Sequence, residues 1–216
     1  GVSINESAIS STSGNIKIKG IAGKGNYSND RNEPWGLGLG SNNYDGPTGD
    51  YIDISGNGVN ITNNNSITAN NGTIEIEGTG PEGAIIPRGS GIEIKSSTIK
   101  AQAITLNGIG GKGSEVLKAS EGVRMQDNAE IHAVGNLTIT GTSANTEKNT
   151  TSHVYRAHGV LLGVSHLKSD TGMITINGTG ASGNQVKRSY GIYLQNNASI
   201  RGSRIKLIGR GGKATD

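Results

Sequence analysis

The chain has no cysteine, which excludes a disulfide framework and any zinc or redox centre built on thiolates. It also has no phenylalanine, a single tryptophan and an aromatic content of 3%, which argues against a core organised around large rings. No run approaches the roughly eighteen consecutive apolar residues of a membrane-spanning helix. The opening residues, GVSINESAIS, lack the basic, apolar and small-residue order of a secretory signal. Charge of one sign is also scarce: 20 Lys and Arg stand against 17 Asp and Glu, a net charge of +3, and this balance gives no support to a nucleic-acid partner.

What the chain has in quantity is glycine, 36 of 216 residues. Around it stand Asn, Ser and Thr, with an apolar mass that is mostly Ile, Val, Leu and Ala. β-Branched residues favour strands, and the small polar residues supply turns. The run GIYL at Gly191 recurs as GVSI at Gly1, GLGL at Gly36, GVNI at Gly58, GIEI at Gly91, GVRM at Gly122 and GVLL at Gly159. A second run, IKLIG ending at Gly209, recurs as IKIKG ending at Gly20, IDISG at Gly56, IEIEG at Gly78, ITLNG at Gly108, LTITG at Gly141 and ITING at Gly178. The closing glycine follows the opening one by 17 to 20 residues in all seven copies. A third apolar position lies between them: Ile9, Tyr44, Ile67, Ile99, Ile131, Leu167 and Ile200.

Each unit therefore offers three short strands, and such a unit cannot stand alone. Burying a large aliphatic side chain gains roughly 1.5–3 kcal/mol, whereas ordering each backbone residue costs on the order of 1–2 kcal/mol. Stacked windings supply the difference by pairing each strand with its equivalents and gathering like aliphatics into internal columns. The pattern predicts an all-β fold, a right-handed parallel β-helix of about seven three-stranded coils, with the right hand taken from the general rule for parallel crossovers. One such segment spans 1–216. Because GVSI at the start already reads as the inside of a repeat, the expectation is an interior fragment of a longer fibrous protein. Most of the length variation falls after the closing glycine, in segments 21–35, 79–90, 109–121, 142–158 and 179–190. These are expected as loops extruded side by side at one corner of the coil.

The stretches SAISSTSGNIKIKGIAGKG at 7–25, SITANNGTIEIEGTGPEG at 66–83 and YGIYLQNNASI at 190–200 resemble the repeats of filamentous haemagglutinin-like adhesins, the secreted passengers of bacterial two-partner secretion systems. The resemblance extends over nearly the whole chain. It implies a right-handed β-helix within a long surface fibre, exported through an outer-membrane transporter of the two-partner type and exposed on the bacterial surface or released. The Asn-Pro-type motifs of that family's amino-terminal secretion domain do not occur here, so no secretion residues carry over.

Candidate sites fall in two places. The five corner segments hold nine basic and six acidic side chains, with aromatics among them. Tyr27, Arg31, Trp35, Tyr155, Arg156, Lys187, Arg188 and Tyr190 form the expected ligand surface, since a ring beside basic groups stacks on a sugar and attracts an acidic glycan or a host surface protein. The alternative at this corner is plain decoration, with the rings folded back over the coil edge. The second place is the outward column Lys17, Asp53, Glu75, with Glu77 beside it. Stacked one winding apart, Asp53 and Glu75 would lie about 5 Å from each other and repel unless a cation lies between them. Calcium suits such oxygens; a simple charge ladder, with Lys17 neutralising Asp53, is the competing reading. Thr105, Thr138 and Thr175 continue this column without further acids, and no cofactor is expected. His153 and His158 share one corner segment, and their spacing is a weak ligand signal.

The expected role is thus non-enzymatic: a rigid structural and adhesive segment, with neighbouring repeats of the same polypeptide as its first partners and a host glycan or surface protein beyond them. The alternative is a β-helical carbohydrate-binding or polysaccharide-degrading protein. Degradation needs a long groove lined with acids over several coils, and Asp53, Glu75 and Glu77 make a small patch for that.

Overall fold

The computed structural model describes residues 1–25, 56–86, 89–116, 120–143, 154–155, 157–183 and 186–212. No helix forms among the described residues, and their strands pair in parallel. The residues after each opening glycine form the strands Val2–Asn5, Val59–Thr62, Ile92–Lys95, Val123–Gln126, Val160–Gly163 and Ile192–Gln195. These stack in that order as one six-stranded sheet. The middle and closing runs make a second, ten-stranded sheet. In two windings the chain turns from one run into the next as a single strand, Ser66–Thr79 and Thr98–Ile109. Elsewhere it breaks between them, as at Ala129–Ala133 and Leu137–Thr142. The architecture is a parallel β-solenoid.

The alternation of the sequence becomes internal files. In the six-stranded sheet Ile4, Ile61, Ile94, Met125, Leu162 and Leu194 stand in one register. The middle strands align Ile9, Ile67, Ile99, Ile131, Leu167 and Ile200. The closing strands align Ile18, Ile76, Leu106, Ile139, Ile176 and Leu207. Away from the two ends these side chains are fully buried and form a single core. The files reach the C-terminal winding without cover, and Leu194, Ile205, Leu207 and Ile208 are exposed there.

The register bears on two expectations. The first winding pairs directly with the one that opens at Gly58, Val2 with Val59 and Ile18 with Ile76. Hydrogen bonds join these two windings directly; the expected second unit at 36–56, all but its closing Gly56, lies outside the described residues. For the same reason Lys17 faces Glu75 itself, with Thr105 on the other side. Asp53 lies outside the described residues.

The repeated glycines answer a steric demand, distinct from the left-handed turn conformations taken by polar residues. Positive φ falls on Asn63 and Asn64, Asp127 and Asn128, Asn196 and Asn197, where short polar side chains tolerate the left-handed region at the first corner. The framework glycines instead lie where two stretches of backbone cross. A Cβ at Gly108 would collide with the carbonyl of Gly122, and one at Gly122 with the backbone at Gly141 and Thr142. The end of each closing strand therefore passes against the start of the next winding with no room for a methyl group.

Unequal windings are brought into step by a bulge. Ala69 pairs with Ala101 and Thr73 with Ala103, a shift of register that absorbs two extra residues of the longer unit. Beyond the closing glycines, parts of the corner segments also pair: Lys24–Gly25, Glu82–Ile86 and Lys112–Val116 make a three-stranded parallel sheet, and Val154–Tyr155 pairs with Val186–Lys187. The expected side-by-side arrangement of loops holds within each of these two groups.

Candidate functional site

In the six-stranded sheet the positions opposite the core file are Ser3, Asn60, Glu93, Arg124, Leu161 and Tyr193, in register from one end to the other. Simple alternation assigns this column to solvent. Instead Leu161 is buried and Glu93 is only 7% exposed. Two different environments lie along it.

The first is polar and centred on Glu93. Its Oε1 lies 2.9 Å from Lys95 Nζ and 3.6 Å from Arg124 Nε. Its Oε2 accepts a hydrogen bond of 2.6 Å from Asn57 Nδ2. The carboxamide of Asn57 is held at its other end too, because Ser90 N donates to Oδ1 at 2.9 Å. Buried Glu121 places Oε2 3.9 Å from Arg124 Nη1 and accepts from Ser90 Oγ at 3.3 Å. Arg124 also donates from Nε to Gln126 Oε1 at 2.9 Å. Two acids and two cations thus share a largely water-free patch, where charges persist only because they are paired.

The second environment is aromatic and lies at the C-terminal end. The buried ring of His158 stacks on Tyr190 with centroids 5.4 Å apart and an interplanar angle of 15°. Tyr193 lies 4.7 Å from His158 and 5.4 Å from Tyr190. Tyr190 N donates to His158 Nδ1 at 3.2 Å, which makes Nδ1 the acceptor and puts any ring proton of neutral histidine on Nε2. Tyr190 itself is 47% exposed, and exposed Arg188 adopts a left-handed φ of 55° just before it.

The acidic column takes a different form from the one expected. Lys17 Nζ lies 3.1 Å from Glu75 Oε2 and 3.2 Å from Glu77 Oε1, and Lys19 Nζ lies 3.2 Å from Glu77 Oε2. The hydrogen bonds from Lys17 and then Lys19 pull the Glu77 carboxyl down to about 2, and those that Lys17 donates to Glu75 and Glu77 raise its ammonium above the ordinary value. The acids at 75 and 77 are thus paired with lysines one rung away. On the middle strands, Asp170 bridges Lys168 Nζ and His132 Nε2, each at 2.8 Å. Lys168, and secondarily His132, lowers the Asp170 carboxyl below its usual range.

Of the expected ligand surface, Tyr27, Arg31, Trp35 and Arg156 lie outside the described residues. Tyr155 and Lys187 are backbone partners in the short parallel pair, and Arg188 and Tyr190 are exposed. Glu93, Arg124, Asn57 and Tyr193 were not anticipated. The signal for the first two was present: GIEI and GVRM place opposite charges in the same outward position of consecutive windings. Comparison with family models, with curated proteins and with solved structures gives no match.

Proposed function

We propose that the chain is a shaft segment of a bacterial filamentous adhesin of the haemagglutinin-like type, right-handed, surface-exposed or secreted, and non-enzymatic. The observation that carries this reading is the run of internal aliphatic files, buried through the middle of the rod. A stacked core of this kind gives a stiff rod, as a shaft requires. Adjacent repeats of the polypeptide are then its structural partners, and export runs through an outer-membrane transporter of the two-partner type.

Adhesion is assigned to the corner loops and the ring platform at their C-terminal end. Tyr190 and Tyr193 offer flat apolar faces, Arg188 adds a positive charge beside them, and a sugar ring with an acidic substituent fits that pair of chemistries. A glycan array probed with the native chain and with Trp35→Ala and Tyr190→Ala variants tests this. Binding lost in either variant supports the adhesive surface, whereas no binding by the native chain reduces the role to a spacer. Release of reducing ends from an acidic polysaccharide would overturn the non-enzymatic reading in favour of a polysaccharide-degrading solenoid.

A further inference from the structure

We propose that Lys95 and Asn57 join spontaneously into an isopeptide bond, with Glu93 as the proton carrier, so that two windings are stapled covalently. The reacting groups meet on one carboxylate: the amine at 2.9 Å from Oε1 and the amide nitrogen at 2.6 Å from Oε2. An ion pair needs only the first of these contacts. The second places the Asn57 carboxamide on the other oxygen of the carboxylate that holds the amine, and the Ser90 N–H, 2.9 Å from Asn57 Oδ1, polarises its carbonyl.

The chemistry balances with no outside reagent. Glu93 Oε1 takes one proton from the Lys95 ammonium, and the freed Nζ lone pair forms a bond to Asn57 Cγ. Negative charge develops on Oδ1, where the Ser90 N–H already points, as in an oxyanion hole. The Glu93 carboxyl then turns about its Cγ–Cδ bond so that the proton it holds reaches Nδ2, the Asn57 Cγ–Nδ2 bond breaks and ammonia leaves. A second proton, lost from the new amide nitrogen, departs with the ammonia as ammonium. The carboxylate ends ionised as it began, and nothing is oxidised or reduced. Amines and amides do not exchange at a useful rate in water; holding both on one buried carboxylate supplies the proximity and orientation that such a reaction lacks in solution. Arg124, 3.6 Å from Oε1, keeps a positive partner on Glu93 after the lysine charge is consumed.

The bond would tie Asn57, at the entrance of the winding that opens at Gly58, to Lys95 at the end of the first strand of the next winding. Intact mass spectrometry of the folded chain, aged at neutral pH, tests it. The expected result is a mass lower than that of the sequence by one ammonia, with a tryptic peptide in which residue 57 is linked to residue 95 and cleavage after Lys95 is lost. Lys95→Arg, which preserves the ion pair with Glu93, and Glu93→Gln are expected to run at their full sequence masses, with circular dichroism confirming that each folds. Should Glu93→Gln fail to fold, Asn57→Ala serves in its place. A succinimide at Asn57-Gly58 also loses ammonia, but it persists in Lys95→Arg and leaves the tryptic site intact. A native chain at full sequence mass, or an ammonia loss that survives Lys95→Arg, overturns the proposal.

Discussion

Ile94 and Leu194 stand in the same internal file, yet the first is fully buried and the second, on the last winding, is 41% exposed. Truncating each to alanine compares the same position at two depths of one column. At Ile94 the loss includes the transfer of the removed atoms and the cavity they leave, because strands above and below hold the walls apart; about 2–5 kcal/mol is expected. At Leu194 the side chain is only partly removed from water and its neighbours on one side are absent. Full burial of a leucine is worth roughly 1.5–3 kcal/mol, so the expected loss there is about 1 kcal/mol. Urea denaturation followed by circular dichroism reads the difference as a shift in midpoint at unchanged slope. Stacked repeats can lose a terminal winding separately, so amide exchange at the central windings is measured alongside and is expected to accelerate only for Ile94→Ala. Equal losses in the two variants would refute the internal file and, with it, the solenoid core as the source of stability.

Three further outcomes follow from the same geometry. Gly122→Ala, whose new methyl group would meet the backbone at Gly141 and Thr142, is expected to cost about 1–3 kcal/mol, while Gly23→Ala, with open space around it, should leave the urea midpoint unchanged. Removing the half-buried guanidinium in Arg124→Met leaves buried Glu93 and Glu121 short of a cation and is expected to cost about 3 kcal/mol by the same assay; a neutral result would show that water reaches the patch. The Glu77 carboxyl titrates lower folded, at about 2, than unfolded, at 4.5. Its contribution is therefore present above the unfolded value and disappears as pH falls toward about 2. Carboxyl carbon NMR titration should show Glu77 moving upward in a Lys17→Gln, Lys19→Gln double variant, and an unmoved titration would break the assignment of the shift to those lysines.

The strand pattern was legible because the alternation and the glycine spacing report directly on backbone geometry: Ile61, Ile94, Met125 and Leu162 sit where their spacing puts them. Stacking order was less legible. Similarity between units cannot by itself give stacking order: the sequence alone does not say that Val2 pairs with Val59. The reason for the framework glycines was hidden as well, since a close backbone crossing and a positive φ select the same residue. At the candidate site, alternation correctly placed Glu93 and Arg124 away from the core but gave no hint that this outward column is shielded from water. Periodicity specifies a direction, and burial depends on what else packs there.

The crossing of glycine backbones at the end of each winding has a consequence for how such a chain changes over generations. The ladder hydrogen bonds set the vertical step between neighbouring strands, so a small excess such as that at Ala69 to Thr73 is absorbed within one strand while the pairing on either side keeps its register. Variation is thereby steered to one flank of the rod, where new surface chemistry can be tried without re-solving the fold, while a single methyl group on the seam would be felt by two windings at once.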